Sequence, residues 1–135
     1  GVVRIKKIIW LILLTLSFSV SAELTVQYST TATSKASFNP VTHYNTNEPI
    51  RADDTITYKL YMNGVEVQAG AGLVDGDRRY FVLSNSGMVG TAVLHVTANS
   101  TYFNSESPPS NTYDFIIEGL TPKAPADFNM TAQPQ

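Results

Sequence analysis

The stretch TITYKLYMNGVEVQ, residues 55–68, alternates large apolar with polar side chains, breaks at Asn63-Gly64 and resumes. A period of two marks a strand with one buried face, because successive side chains leave a pleated backbone on opposite sides. It sets Ile56, Tyr58, Leu60 and Met62 on one face and Thr57, Lys59 and Tyr61 on the other. Asn-Gly between two such runs predicts a two-residue turn, since a type I′ turn needs positive φ at both central residues. A hairpin with one apolar face must bury that face, so this stretch commits the chain to a layered β fold.

The remainder continues in kind. LTVQYS (24–29), TSKASF (33–38), RRYFVLS (78–84), TAVLHVTA (91–98) and TYDFIIE (112–118) are further strand signals. Ala92, Leu94, Val96 and Ala98 fall on one face of their run, and Tyr113, Phe115 and Ile117 on one face of the last. Between them lie segments rich in Asn, Asp, Gly, Pro and Ser, the residues that turns require. Two are long and polar, 42–54 and 99–111, and a third, AGAGLVDGD (69–77), reads as a flexible loop. No helical period follows residue 22. About seven short strands over about 100 residues predict an all-β, two-sheet antiparallel sandwich.

Residues 1–22 read differently. Arg4, Lys6 and Lys7 precede a 13-residue apolar run, IIWLILLTLSFSV, and the small residues Ser21 and Ala22 end it. That order is a secretory signal peptide. As a helix the run is roughly 20 Å long, against a hydrocarbon core of about 30 Å, which makes an uncleaved anchor the lesser reading. The expected address is secreted, periplasmic or cell-surface, with no membrane attachment after cleavage. Three of the nine basic residues lie in this segment, which leaves six against eleven acidic ones. An acidic surplus argues against nucleic acid and anionic membranes as partners. Although export permits disulfides, there is no cysteine, so a packed core has to stabilise the domain by itself.

Three stretches resemble a fibronectin type III domain of the bacterial secreted type. NTNEPIRADDTITYKLYMNG (45–64) is similar to that family's B–C loop and third strand, with its Tyr-x-x-Tyr element at Tyr58 and Tyr61. VTANSTYFNSESPPSN (96–111) resembles the sixth strand and its following Glu-Ser-x-x-Ser-Asn, here Glu106, Ser107, Ser110 and Asn111, and YDFII matches the last strand. The resemblance covers 23–119 and implies an immunoglobulin-like sandwich. The chain departs from the pattern twice. Phe38 stands where the second strand carries a core Trp, and Ala92 stands near the position of the sixth strand's corner Tyr. Residues 120–135, with TPKAPADFNMT, resemble a Pro-rich linker and the start of a following repeat.

Catalysis needs a nucleophile or acid–base group held against a partner. The two histidines, His43 and His95, fall in a loop and on an outward strand face, and no catalytic or phosphate-binding motif occurs. Asp75-Gly76-Asp77 offers two carboxylates toward calcium, which takes six to eight oxygens, and reads better as a turn. The expectation is therefore a non-enzyme with no cofactor and no metal. Its contacts would run through loops 42–54 and 99–111 to a protein or glycan. Tyr44, Tyr61, Tyr102 and Phe103 are the candidate binding residues, as aromatics in loops or on an outward face. A spacer or binding and adhesion module is the first reading. The alternative is a carbohydrate-binding accessory domain of a secreted hydrolase, with rings stacked on sugar.

Overall fold

The computed structural model describes residues 22–134, so the signal-peptide segment lies, apart from Ala22, outside the described residues. Nine strands and no helix occur among them: β1 (Ala22–Gln27), β2 (Thr33–Phe38), β3 (Ile56–Met62), β4 (Val65–Gly70), β5 (Leu73–Asp75), β6 (Arg78–Ser84), β7 (Gly90–Ser100), β8 (Ser105–Glu106) and β9 (Tyr113–Glu118). They form two sheets. The larger runs β1-β9-β7-β3-β4, with β8 also paired to β7, and the smaller runs β2-β6-β5.

The Asn63-Gly64 turn forms as the sequence predicts. Met62 pairs with Val65, and the two residues between them have φ of 51° and 80°. Asn63 is also fastened to β7: its N–H donates to the Val93 carbonyl, and its Oδ1 accepts from the Val93 N–H, both at 2.8 Å. The hairpin is thus seated against the centre of the larger sheet. A slip of one residue would turn Tyr58 and Leu60 out to solvent.

The core lies between the sheets. Tyr58 and Leu60 from β3, Ala92 and Leu94 from β7, and Phe115 and Ile117 from β9 meet Phe81 and Leu83 from β6. Burying a side chain of the size of Leu60 or Phe115 contributes about 1.5–3 kcal/mol. Phe38 packs on Tyr58 at 4.6 Å and on Phe81 at 5.7 Å between ring centroids. The Tyr58 hydroxyl, inside this cluster, accepts the Val41 N–H at 2.9 Å and so pins the chain leaving β2.

Five expectations are corrected. Alternation counts about seven strands, whereas nine form. The loop expected over 69–77 contains the end of β4 and the whole of β5, and that over 99–111 contains β8. Short strands without clear alternation are invisible to a periodicity reading. The sandwich is not wholly antiparallel, because β1 pairs with β9 in parallel, Ala22 opposite Tyr113 through Gln27 opposite Glu118. Tyr113, expected inward, lies on the inner side of β9 but is 43% exposed, lining an open cavity with Leu24 and Phe115.

The two flanks of the layered pair differ. At one, the chain itself crosses from β4 to β5 through Ala71-Gly72, and Gln68 Nε2 donates to the Val82 carbonyl at 2.6 Å, joining the sheets. At the other, β2 faces the β1–β9 side across a cavity of about 750 Å³. Leu24, Val41 and Tyr113 line this cavity at 40, 40 and 43% exposure.

Candidate functional site

One carboxylate, Asp54, links the two long polar loops. Loop 42–54 is a small hairpin of its own: Tyr44 N–H donates to the Glu48 carbonyl at 2.8 Å and Ile50 N–H to that of Thr42 at 3.1 Å, with Asn47 at φ 68° in the turn. It ends at Asp54, just before β3. Residues 101–104 connect β7 to β8 as a tight tip, with Asn104 at φ 48°. Asp54 reaches across to this tip. Its carboxylate accepts the Tyr44 and Ser100 hydroxyls at 2.6 Å each and the Tyr102 N–H at 2.9 Å. The Phe103 N–H in turn donates to the Ser100 hydroxyl at 3.0 Å.

This lock assembles a row of side chains. The Arg51 guanidinium lies 4.1 Å over the Tyr102 ring. Tyr102 meets Phe103 edge-on at 4.8 Å, and Phe103 meets Tyr44 edge-on at 5.5 Å. Asp53 holds Arg51 through both oxygens, at 2.8 and 2.9 Å. Tyr102 and Phe103 remain 51 and 54% exposed. A cation over an aromatic face is attractive by the ring quadrupole, and large exposed apolar groups set in polar surroundings mark contact surfaces.

The electrostatics of the lock follow from its hydrogen bonds. Burial acts to raise the Asp54 carboxyl, but the hydroxyls of Ser100 and Tyr44 and the N–H groups of Tyr102 and Thr55 outweigh it and hold it below the ordinary carboxylate value. Burial, and then donation to Asp54, push the Tyr44 phenol up. The bidentate pair raises Arg51 and lowers Asp53. Asp54 is therefore a charged structural hub at neutral pH, with its oxygens committed to the loops.

Three of the four aromatic candidates thus come together, and the fourth does not. Tyr61 stands on the outward face of β3, stacked on His95 at 4.7 Å and 12°. Its hydroxyl donates to Glu106 at 2.5 Å, and the Thr97 hydroxyl donates to the same oxygen at 2.6 Å. These hydroxyls, Thr97 first and then Tyr61, lower the Glu106 carboxyl, and the bond to Glu106 raises the Tyr61 phenol. The resemblance-bearing residues around Glu106 have structural work of the same kind. Ser107 and Ser110 accept the Ala98 and Val96 N–H groups at 2.9 and 3.0 Å, while their own N–H groups donate to the Ala98 and Val96 carbonyls. Residues 107–110 form a strap along β7 beyond Leu94, where its pairing with β9 stops.

Sequence reading missed Arg51 as part of the patch and Asp54 as its hub. The local run Arg51-Ala52-Asp53 carries a readable ion pair at i, i+2. Nothing local tells Asp54 that its partners Ser100 and Tyr102 stand 46 and 48 residues away. Other expected features take ordinary places. Gly76-Asp77 is the two-residue turn between β5 and β6, with Gly76 at φ 58°, and Asp75 faces Lys35 at 3.9 Å. Among the described residues no group of three or more metal-ligating side chains converges. Comparison with protein-family models, with curated proteins and with solved structures finds nothing that matches this chain.

Proposed function

We propose that this chain is a non-catalytic module exported from the cytoplasm, an immunoglobulin-like sandwich of the fibronectin type III kind. It acts as a binding or adhesion element, or a spacer, within a larger assembly. Its contact surface is the loop end formed by Arg51, Tyr44, Tyr102 and Phe103. One observation carries this reading: a single carboxylate, Asp54, fixes two loops so that a pair of aromatic rings and a guanidinium stay exposed. Holding large apolar groups in water has no stabilising purpose, so their ordering points to recognition. Tyr61 is not part of this surface: it lies on the outward face of β3, stacked on His95 and bonded to Glu106.

The residues of the patch divide the partner classes. Sugar stacking needs a free ring face, and Arg51 covers one face of Tyr102. The row of guanidinium and rings suits a protein surface carrying a carboxylate and an apolar group better than a neutral glycan. The test is capture from extracellular or envelope fractions, alongside a glycan array, using wild type and Tyr102→Ala. Capture of a protein partner that Tyr102→Ala loses supports the module reading. Glycan binding with the same sensitivity moves the assignment to the carbohydrate-binding alternative, and turnover of any substrate by the purified protein would overturn both.

A further inference from the structure

The flank of the sandwich at β2 is short of a strand. The smaller sheet has three strands and the larger six, and at the β1 end the inner face is only partly covered, with Leu24 40% exposed. Inward residues of that pair lie side by side, Leu24 with Phe115 and Val26 with Ile117. Phe115 and Ile117 are buried, while Leu24 is not. On the facing side Ser34, Ala36 and Phe38 of β2 are each only half-buried. Among the described residues β2 pairs with β6 alone, so one row of its N–H and C=O groups has no partner strand. An unpaired edge beside an apolar groove is a template for an added strand: the backbone supplies affinity, and alternate side chains fill the groove.

Residues 119–134 of the same chain have the matching chemistry. After β9 the segment to Pro134 contains no strand, yet Phe128 and Met130 are 86 and 89% exposed, the highest values of any large apolar residue described. Phe128, Met130 and Ala132 alternate with Asn129 and Thr131, the period of a half-buried strand. Pro125 and Pro134 bound this window and none falls inside it, so every residue within it keeps the N–H that pairing requires. Residues 119–125 precede it as a spacer, able to span roughly 24 Å when extended at about 3.4 Å per residue.

We propose that residues 128–132 of one copy add as a strand along the free edge of β2 in a second copy, with Phe128 and Met130 entering the groove lined by Leu24, Phe38, Val41 and Tyr113. A fourth strand would pair the open edge and take both sets of exposed apolar groups from water at once. Reciprocal exchange closes a dimer, and one-way donation builds a chain of copies. The inference is independent of the loop-end surface, which faces a different partner.

Sedimentation of the full chain up to millimolar concentration tests it, together with the variant Phe128→Asp/Met130→Asp. These residues are solvent-exposed within one copy, so the variant leaves the monomer's fold intact. A peptide of residues 123–134 serves as competitor. The expected results are concentration-dependent association, a loss of affinity of about tenfold or more in the variant, as for a buried anchor residue, and dissociation by the peptide. Hydrogen exchange should show the β2 amides gaining protection in step with association. A monomer at every concentration overturns the proposal. So does association indifferent to the variant, or protection of β2 by its own tail or by residues before Ala22 at high dilution.

Discussion

Asp54 and Glu106 each collect one tyrosine hydroxyl and one Ser or Thr hydroxyl, yet the two carboxylates hold different things. Glu106 fastens a strap to the sheet it already neighbours. Around it Ser107 and Ser110 make further bonds to β7, so the strap has several independent anchors. Asp54 joins two loops whose roots share one backbone bond, Thr101 N–H to the Thr55 carbonyl at 3.0 Å, and its extra bond is to the backbone of Tyr102. One carboxylate therefore reinforces a strap with several bonds to its strand, whereas the other ties together two tight turns that have a single backbone bond between their roots. Only the second leaves aromatic rings exposed. The difference separates a motif kept for packing from one that presents a surface.

The largest effect should come from removing both clamps together by acid. Each carboxyl is depressed in the folded state below ordinary values of 3.8 and 4.5. Their stabilisation is then complete above those values and is lost as pH falls through the folded ones. Tyr44 and Tyr61 are raised above 10.0, so their share is complete below that value and fades as pH rises through the folded one. Melting temperature against pH should show a plateau bounded on both sides. A double variant Asp54→Asn/Glu106→Gln should flatten the acid limb, and an unchanged limb would sink the two-clamp account.

Next in size is Asp54→Ala, which leaves the hydroxyls of Tyr44 and Ser100 without their acceptor. Amide protection at Tyr102 and Phe103 should fall by about tenfold or more as the tip opens, while β3 and β7 stay protected. Glu106→Ala should do less, because Ser107 and Ser110 still hold the strap. If it destabilises more than Asp54→Ala, the contrast drawn between the two is wrong. Tyr58→Phe offers a control inside the core: it deprives the Val41 N–H of its acceptor and should cost about 1 kcal/mol in chemical denaturation. The smallest effect on stability belongs to Tyr102→Ala, within about 0.5 kcal/mol for an exposed site, although it should abolish any partner binding at the loop end.

Much of the fold was legible along the chain. β2 and β6 fall where alternation puts them, and the hairpin at Asn63-Gly64 has the turn its residues demand. Strands of two and three residues were not, because β8 and β5 exist only by virtue of the longer strands they pair with. The parallel seating of β1 on β9 escaped for a similar reason: period two says which side chains point inward, not which strand lies alongside or in which direction. At the candidate site the aromatics were visible as misplaced apolar residues, while Arg51 and Asp54 looked like ordinary turn residues.

What the sequence determined by itself was therefore local: which runs are strands, which faces are apolar, where the turns fall, and that no disulfide assists. Those follow from steric preference and periodicity, properties of neighbours in the chain. Tertiary structure alone decided that Tyr44, Tyr102 and Phe103 share one end while Tyr61 lies elsewhere, and that β2 has an open edge. These depend on which distant strands pair. A side chain's partner 46 residues away is fixed by the packing of two sheets, and no stretch of sequence between the two records it.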